Sequence, residues 1–284
     1  MAAAVDWYAY DSRGDSVEEF ERKLALVGTD GKNIPKRPPF KKNPRQREAV
    51  ELLKRHKHAM LYGGSRSGKS VVIDRQVCAR AFAEPSRHLI ARHRFNAVKT
   101  SIGMDTMPFV LASCFPNSNW ELNKSDWVFY LETQCGGTSE IWLGGTDEKE
   151  RLDKVLGKEY ATVWLNEVSQ LSWDAVGMML TRLAQNTRLN NRMFYDCNPP
   201  SRRHWTYQLF VKGLTPELAK SDYDTGYLQL NPLHNIDNLP ADYIDDLNML
   251  PRRQRERFLK GEFLLDVEGA LWTDDMVNYA LGRP

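Results

Sequence analysis

Long apolar runs are missing from this chain, and no segment approaches the roughly 18 consecutive apolar residues that a membrane span needs. The N-terminus also lacks the apolar segment of a signal peptide. Four cysteines without C-x-x-C spacing and six scattered histidines argue against a disulfide framework and a zinc site. The net charge of +2 is too small to indicate a nucleic-acid partner by itself. We therefore expect a cytosolic protein without a membrane partner, in which any contact with nucleic acid is local.

One glycine-rich stretch dominates what is present. It fits the pattern G-x-x-x-x-G-K-[ST] at every position and comprises Gly63, Gly64, Ser65, Arg66, Ser67, Gly68, Lys69 and Ser70. In such a loop the backbone N–H groups surround phosphate, the lysine brings a positive charge to the β and γ phosphates, and the final hydroxyl faces Mg²⁺. The helix that follows directs its positive end at the anion. The stretch therefore predicts a phosphate-binding loop.

Strand-like and helical patterns alternate along the middle of the chain. Apolar strands are predicted at 58–62, 88–92, 161–167 and 192–197, with three shorter pieces between 120 and 143 and helices between them, including a long one from Phe95 to about Phe115. Such alternation implies an α/β fold with a mainly parallel sheet and helices on both faces. Ligands of these sheets bind at the carboxyl ends of the strands.

The sequence suggests three parts. Residues 1–40 mix apolar, basic and proline-rich segments, and we expect an arm and linker. Residues 41–220 hold the alternating strands and helices and form the core. Residues 221–284 are expected to form a small helical subdomain, with helices at 240–250 and 251–263.

Polar residues at two strand ends could complete the site. Glu167 ends an apolar strand, where its carboxylate can orient or deprotonate the water that attacks a γ phosphate. Asn166 stands where an aspartate would normally support Mg²⁺, and its amide brings no charge, so Ser70, water and the phosphates must hold the metal with lower affinity. Asn198 ends the next strand, where its amide could bond the γ phosphate, although Asn-Pro-Pro is also a simple turn signal.

Longer side chains supply further candidates. Gln46 precedes the loop and could recognise an adenine edge, because its amide offers a donor and an acceptor together, or it is a solvated helix residue. Arg66 can stabilise charge on the transferring phosphoryl group from within the same subunit. An arginine from a neighbouring subunit is the other possibility, and the sequence does not rank the candidates Arg92, Arg94 and Arg151.

Together these motifs resemble the large terminase subunit of tailed bacteriophages, from about residue 44 to residue 272. The resemblance rests on the loop with its internal arginine and on the later motifs Trp164-Leu165-Asn166-Glu167, Asn198-Pro199-Pro200 with His204-Trp205, Gly261-Glu262-Phe263 and Gly269-Ala270-Leu271-Trp272. It implies a P-loop ATPase of the additional-strand, catalytic-glutamate class, with the helical tail as a lid subdomain. ATP and Mg²⁺ are the implied cofactors.

The resemblance also implies roles and partners. Gln46 is similar to the adenine-recognition motif, Lys69 and Ser70 to the nucleotide ligands, Glu167 to the catalytic carboxylate, and Asn198 to the motif that couples hydrolysis to movement. Family members form a ring on the capsid's portal protein and drive double-stranded DNA inside, together with a small terminase subunit. The implied location is the cytoplasm of the bacterial host with transient docking on the procapsid, and not the mature virion.

Two departures from the family pattern stand out. The family usually has Asp at the position of Asn166, which puts the metal geometry in doubt. Its nuclease domain would begin about where this chain ends, at Pro284, so we expect a motor domain without nuclease activity. Three alternatives stay open: another P-loop translocase or helicase, a small-molecule kinase, and an ATP-binding assembly module with negligible turnover.

Overall fold

The computed structural model describes residues 40–147, 149–265 and 279–280. The strands are β1 (His58–Tyr62), β2 (Arg87–Arg92), β3 (Trp120–Asn123), β4 (Val128–Glu132), β5 (Thr138–Gly145), β6 (Thr162–Leu165), β7 (Arg192–Cys197) and β8 (Thr225–Gln229). The α-helices are α1 (Pro44–Arg55), α2 (Lys69–Ala83), α3 (Phe95–Val98), α4 (Met107–Cys114), α5 (Lys149–Leu156), α6 (Trp173–Leu180), α7 (Tyr243–Met249) and α8 (Arg252–Phe258). The arm predicted for residues 1–40 lies outside the described residues except for Phe40, and so does the Gly269–Trp272 motif. None of the described helices has the length and apolar character that a bilayer crossing requires.

All eight strands form one sheet, in the order β3-β4-β5-β2-β6-β7-β1-β8. Neighbouring strands from β5 through β2, β6, β7 and β1 to β8 pair in parallel, whereas β3 with β4 and β4 with β5 pair antiparallel. The predicted α/β class with a mainly parallel sheet is confirmed.

Helices pack on both faces because the central strands are apolar on both sides. In β1, Ala59 and Leu61 belong to one buried core together with Val72 of α2. Met60 points the other way and belongs to a second core with Val176 of α6. Strands buried on both faces are characteristic of parallel sheets.

The long helix predicted from residue 95 to residue 115 is not a regular α-helix. Between α3 and α4 the segment Lys99–Thr106 is π-helical. Pro108, in the first turn of α4, has no backbone N–H to donate. π-helical segments next to α-helices occur often at functional sites. Here Asp105 and Thr106 of the π-helical segment line the cavity described below.

The tail contains a strand that the sequence did not predict. β8 pairs in parallel with β1 at the edge of the sheet, within the range expected to be helical. Gly226 in β8 lies against the ring of His56, where a Cβ would come within 2.3 Å of Cδ2. The sheet therefore continues past residue 220 to Gln229, while the division into core and lid stays a prediction. The two predicted helices are present as the shorter α7 and α8, after a 3₁₀ segment at Pro232–Asn238.

Candidate active site

The sheet order places three strand ends side by side. β7 lies between β6 and β1, and the pairs Leu165–Tyr195 and Tyr62–Cys197 set the register. The carboxyl ends of parallel strands lie on one edge of a sheet, so the segments that follow these strands open onto one cavity of about 710 Å³. Its lining includes Ser65, Arg66, Ser67, Gly68, Lys69, Ser70, Glu167, Asp196 and Asn198. The structure thus brings most of the predicted site residues together.

Two glycines give the loop its path. Gly63 has φ 142°, and a Cβ there would lie 1.9 Å from the carbonyl oxygen of Leu230. Gly68 has φ 84°, and a Cβ there would lie 2.6 Å from Nε2 of Gln46. Glycine alone accepts both conditions without strain. Gly68 delivers the chain into α2, whose first N–H groups have no acceptor within the helix and belong to residues that line the cavity.

The ammonium group of Lys69 is buried within the loop. It donates hydrogen bonds to the carbonyl oxygens of Gly64 (2.7 Å) and Gly63 (3.2 Å), to Oγ of Ser67 (3.2 Å) and to Oδ1 of Asn198 (3.3 Å). Burial lowers the pKa of Lys69, while the carboxylates of Asp196 and Glu167 act to raise it. The acceptors that hold the ammonium are neutral, and a phosphate oxygen in the cavity would be a stronger one because it is charged.

Two residues of the cavity have left-handed backbone conformations. Glu167 has φ 52° and ψ 49°, and Arg66 has φ 55°. This region costs a non-glycine residue of the order of 1 kcal/mol, and such strain concentrates at functional sites. At Glu167 the turn follows β6 directly and sets the carboxylate in the lining of the cavity. Arg66 lies at the exposed tip of the loop, where its carbonyl oxygen accepts a hydrogen bond from Nδ2 of Asn235 (2.9 Å).

Asn166 is not in the cavity lining that the structure describes, but Asp196, its neighbour on the adjacent strand β7, is. Nδ2 of Asn166 donates to Oδ1 and Oδ2 of Asp196, at 3.0 and 3.2 Å, and Nε1 of Trp164 donates to Oδ1 at 2.7 Å. The amide of Asn166 therefore holds a buried carboxylate. Sequence reasoning missed Asp196, although an aspartate close to the end of an apolar strand is a signal that could have found it.

The environment of Asp196 disfavours its charged form. Burial, and secondarily the charge of Glu167, raises the pKa of Asp196 to about 6. Lys69 and the hydrogen bonds from Asn166 and Trp164 act in the opposite direction. Two carboxyl groups and one ammonium group thus share a largely buried site, which is typical of functional clusters.

The residues present fit Mg²⁺ bound together with a nucleotide. Ser70 brings a hydroxyl and Asp196 a carboxylate to the same cavity. Mg²⁺ usually binds through one or two carboxylates, water and substrate phosphates rather than an all-protein cage. Among the described residues, no group of three or more His, Cys, Asp or Glu side chains is placed to hold a metal by itself.

Gln46 lies against the loop at Gly68 and is not in the cavity lining that the structure describes. It is buried, with 2% of its surface exposed. Its Oε1 accepts from the backbone N–H of Asn43 (3.0 Å), and its own N–H donates to Oδ1 of Asn43 (2.8 Å), which forms a capping box at the start of α1. Adenine recognition by Gln46 stays a prediction, and the solvated alternative is wrong because the side chain is buried.

Of the arginine candidates, Arg92 and Arg94 are not in the cavity lining that the structure describes. Arg92 ends β2, with its Nε buried and no hydrogen-bond partner among the described residues. Arg94 is exposed just before α3. The side chain of Arg151 lies outside the described residues. A role for any of them in a neighbouring subunit stays a prediction.

The tail contributes part of the site that the sequence did not indicate. Asn235, Asn238, Leu239 and Tyr243 also line the cavity, and Asn235 contacts the loop at Arg66. Two further contacts fix the loop itself: the N–H of Ser65 donates to the carbonyl oxygen of Phe258 (2.9 Å), and the N–H of Gly64 donates to Oδ1 of Asn231 (3.3 Å). These contacts join residues far apart in sequence, so local patterns carry no signal for them.

The phosphate-binding loop, the parallel sheet and the acid at a neighbouring strand end define the class of protein: a P-loop nucleotide-binding fold with a strand-end glutamate. The family follows from comparison with known proteins. The sequence model of the phage terminase large subunit family matches residues 55–259. The chain belongs to this family.

Solved structures agree with this fold. The large terminase of the thermophilic bacteriophage D6E superposes with a TM-score of 0.67 at 16% identity, over 78% of this chain and 53% of that chain. The ATPase domain of the Thermus phage P74-26 large terminase, in a mutant form, gives 0.55 at 15% identity, over 79% of this chain and 95% of that one. The present chain thus spans about half the length of the D6E protein. A comparison with curated proteins found no significant match.

Proposed function

We propose that this chain is the ATP-hydrolysing motor domain of a large terminase, which drives double-stranded viral DNA into a procapsid. The observation that carries the proposal is the cavity in which a phosphate-binding loop, a buried lysine and a strand-end glutamate face one another. The D6E large terminase has been solved in complex with ADP and with ATP-gamma-S, at 16% and 15% identity to this chain. Those complexes support ATP as the nucleotide.

In the proposed mechanism, the loop binds and orients the triphosphate. The free N–H groups at the start of α2 and the ammonium of Lys69 hold the β and γ phosphates. The carboxylate of Glu167 orients the attacking water and accepts its proton, while Asn198 and Arg66 bond the γ phosphate and its developing charge. Bound Mg²⁺, with Ser70 as its protein hydroxyl ligand, would neutralise charge that develops on the phosphate oxygens.

The partners belong to the proposal as well. We expect a ring of copies on the portal protein, with the small terminase subunit and double-stranded DNA as further partners, in the cytoplasm of the bacterial host. Nuclease activity is not part of this proposal.

Phosphate release with and without double-stranded DNA tests the proposal. We expect release that needs Mg²⁺, needs no added acceptor and rises with DNA. Lys69→Ala should abolish ATP binding, and Glu167→Gln should bind ATP but lower turnover by at least about a hundredfold. Matched controls are Lys124→Ala and Glu121→Gln, because both side chains are exposed on or near β3 and away from the cavity.

Two of the alternatives, the kinase and the assembly module, have outcomes of their own. Hydrolysis only in the presence of a phosphate acceptor would indicate a kinase. Tight ATP binding with no release, with or without DNA, would indicate an assembly module. Full turnover by Glu167→Gln would remove Glu167 from its role.

A further inference from the structure

The buried carboxylate of Asp196 has no part in the mechanism above, yet it lines the cavity. Its side chain accepts the three hydrogen bonds from Trp164 and Asn166. An ionised carboxylate offers about four acceptor sites. These donors at the end of β6 therefore hold the carboxylate in one orientation and leave it able to accept one more contact on the cavity side.

The register shows how Asp196 relates to the strand end beside it. Leu165 pairs with Tyr195, so Asn166 and Asp196 follow at the next level of the sheet. β7 lies between β6 and β1. A carboxylate on β7 is consequently one strand spacing, about 4.8 Å, nearer to the strand that carries the loop than a side chain on β6.

The two carboxylates of the cavity would repel a bound triphosphate unless a cation is also present. Lys69 lines the cavity together with Asp196 and Glu167, and the two carboxylates act on it electrostatically. A triphosphate would add several negative charges to a site that already holds two acids. Because repulsion between like charges is strong away from water, nucleotide and acids are compatible when a divalent cation lies between them.

We propose that Asp196 is the carboxylate that positions Mg²⁺ in this site, and that Asn166 orients it through the amide–carboxylate hydrogen bonds. P-loop NTPases hold Mg²⁺ with a Walker-B Asp; in this chain the expected position is Asn166, and the carboxylate is on the neighbouring strand instead. This inference rests on the proposed function and makes Asp196 a positioning residue that acts through the metal.

Nucleotide binding measured with and without Mg²⁺ tests the inference independently of turnover. Isothermal titration of ATP-γ-S into the full chain, in Mg²⁺ and in EDTA, gives the factor by which the metal tightens binding. Asp196→Asn should reduce that factor roughly tenfold or more, with the affinity in EDTA unchanged or higher. The double variant Asn166→Asp with Asp196→Asn keeps one carboxylate in the pair but moves it to the strand farther from the loop, so it should restore only part of the factor.

One matched control variant and three possible outcomes complete this test. Asp222→Asn removes an exposed carboxylate outside the cavity and should leave the factor unchanged. An unchanged factor in Asp196→Asn would overturn the inference, and so would an equal loss of affinity in Mg²⁺ and in EDTA, because Asp196 would then act through Lys69 or the fold. If the wild-type chain binds no ATP-γ-S under either condition, the proposed function itself fails.

A second variant serves if Asp196→Asn does not fold. Asn166→Asp places two carboxylates within hydrogen-bond distance, so we expect a lower melting temperature without metal. With ATP-γ-S present, Mg²⁺ should raise the melting temperature of this variant more than that of the wild type. An equal rise would show that the metal does not contact the pair.

Discussion

At the residue scale, Gly68 is closely packed where the loop enters α2. Gly68 has a left-handed backbone conformation, which disfavours residues with a Cβ, and it lies against Gln46, which leaves no space for an added methyl group. Gly177 in α6 is the opposite case, since a Cβ there would meet nothing within 4 Å. The two glycines form a matched pair for testing what the loop requires.

We predict that Gly68→Ala lowers the free energy of unfolding by roughly 1–3 kcal/mol and weakens ATP binding, because the strain falls on the loop itself. Gly177→Ala should instead raise the free energy of unfolding by about 0.5–1 kcal/mol, since alanine is the better helix former. Denaturant unfolding and nucleotide titration measure both effects. Wild-type behaviour of Gly68→Ala in both assays would contradict this account of the loop.

His58 at the start of β1 gives a prediction on pH. Burial, with a smaller contribution from Lys57, lowers the pKa of His58 to about 4, and its Nδ1 lies 2.9 Å from the hydroxyl of Tyr195. The unfolded chain binds this proton near pH 6.5, so between about pH 6.5 and pH 4 the unfolded state holds more protons and stability falls as the pH falls.

The stability difference between wild type and His58→Gln isolates this effect, because other titrating groups, such as Asp196, are common to both proteins. We expect the wild-type advantage to shrink by up to about 3 kcal/mol as the pH falls through this interval. Urea unfolding at a series of pH values measures it. A difference that does not change with pH would show that His58 does not titrate as its burial requires.

Among the elements, α1 connects the loop to the rest of the core through its first turn. The Asn43–Gln46 capping box satisfies N–H groups there, and Gln46 also lies under Gly68. Two roles for Gln46 are thus separable: capping, which it shares with Asn43, and adenine recognition, which it would have alone.

We predict that Asn43→Ala and Gln46→Ala each lower the free energy of unfolding by about 1 kcal/mol, because each breaks the box. Asn43→Ala should keep the preference for ATP over GTP. A loss of that preference in Gln46→Ala alone would support adenine recognition, and an unchanged preference in both would limit Gln46 to capping. Competitive titration with the two nucleotides gives the comparison.

The elements also show what the sequence could and could not predict. The loop, the strand that carries Glu167 and the strand before Asn198 have strong local signals, because a buried parallel strand is a short apolar run that ends in polar residues. β8 has no such signal: it is five residues long, contains Gly226 and exposes Tyr227. The role of Asn166 was likewise hidden, since its partner Asp196 is 30 residues away and only the sheet register joins them.

At the scale of the whole molecule, the proposed ring would bring residues of one copy to the cavity of the next. β2 lies next to β6, and Arg94 follows its end at the same edge of the sheet as the cavity. Arg94 is exposed, whereas Nε of Arg92 is buried. Of the two, Arg94 is better placed to reach the cavity of a neighbouring copy in a head-to-tail ring, where one surface of each subunit meets a different surface of the next.

We therefore predict that Arg94→Ala keeps ATP binding but lowers turnover by about a hundredfold or more, as expected for an arginine supplied in trans. Mixing Arg94→Ala with Glu167→Gln should give more phosphate release than either protein alone, because some interfaces in the mixture pair an intact Glu167 with an intact arginine. Arg47→Ala, an exposed change on α1, is the matched control and should lose nothing. If mixing gives no gain while Arg94→Ala is inactive, the arginine acts within its own subunit, and the activity should then not depend on protein concentration.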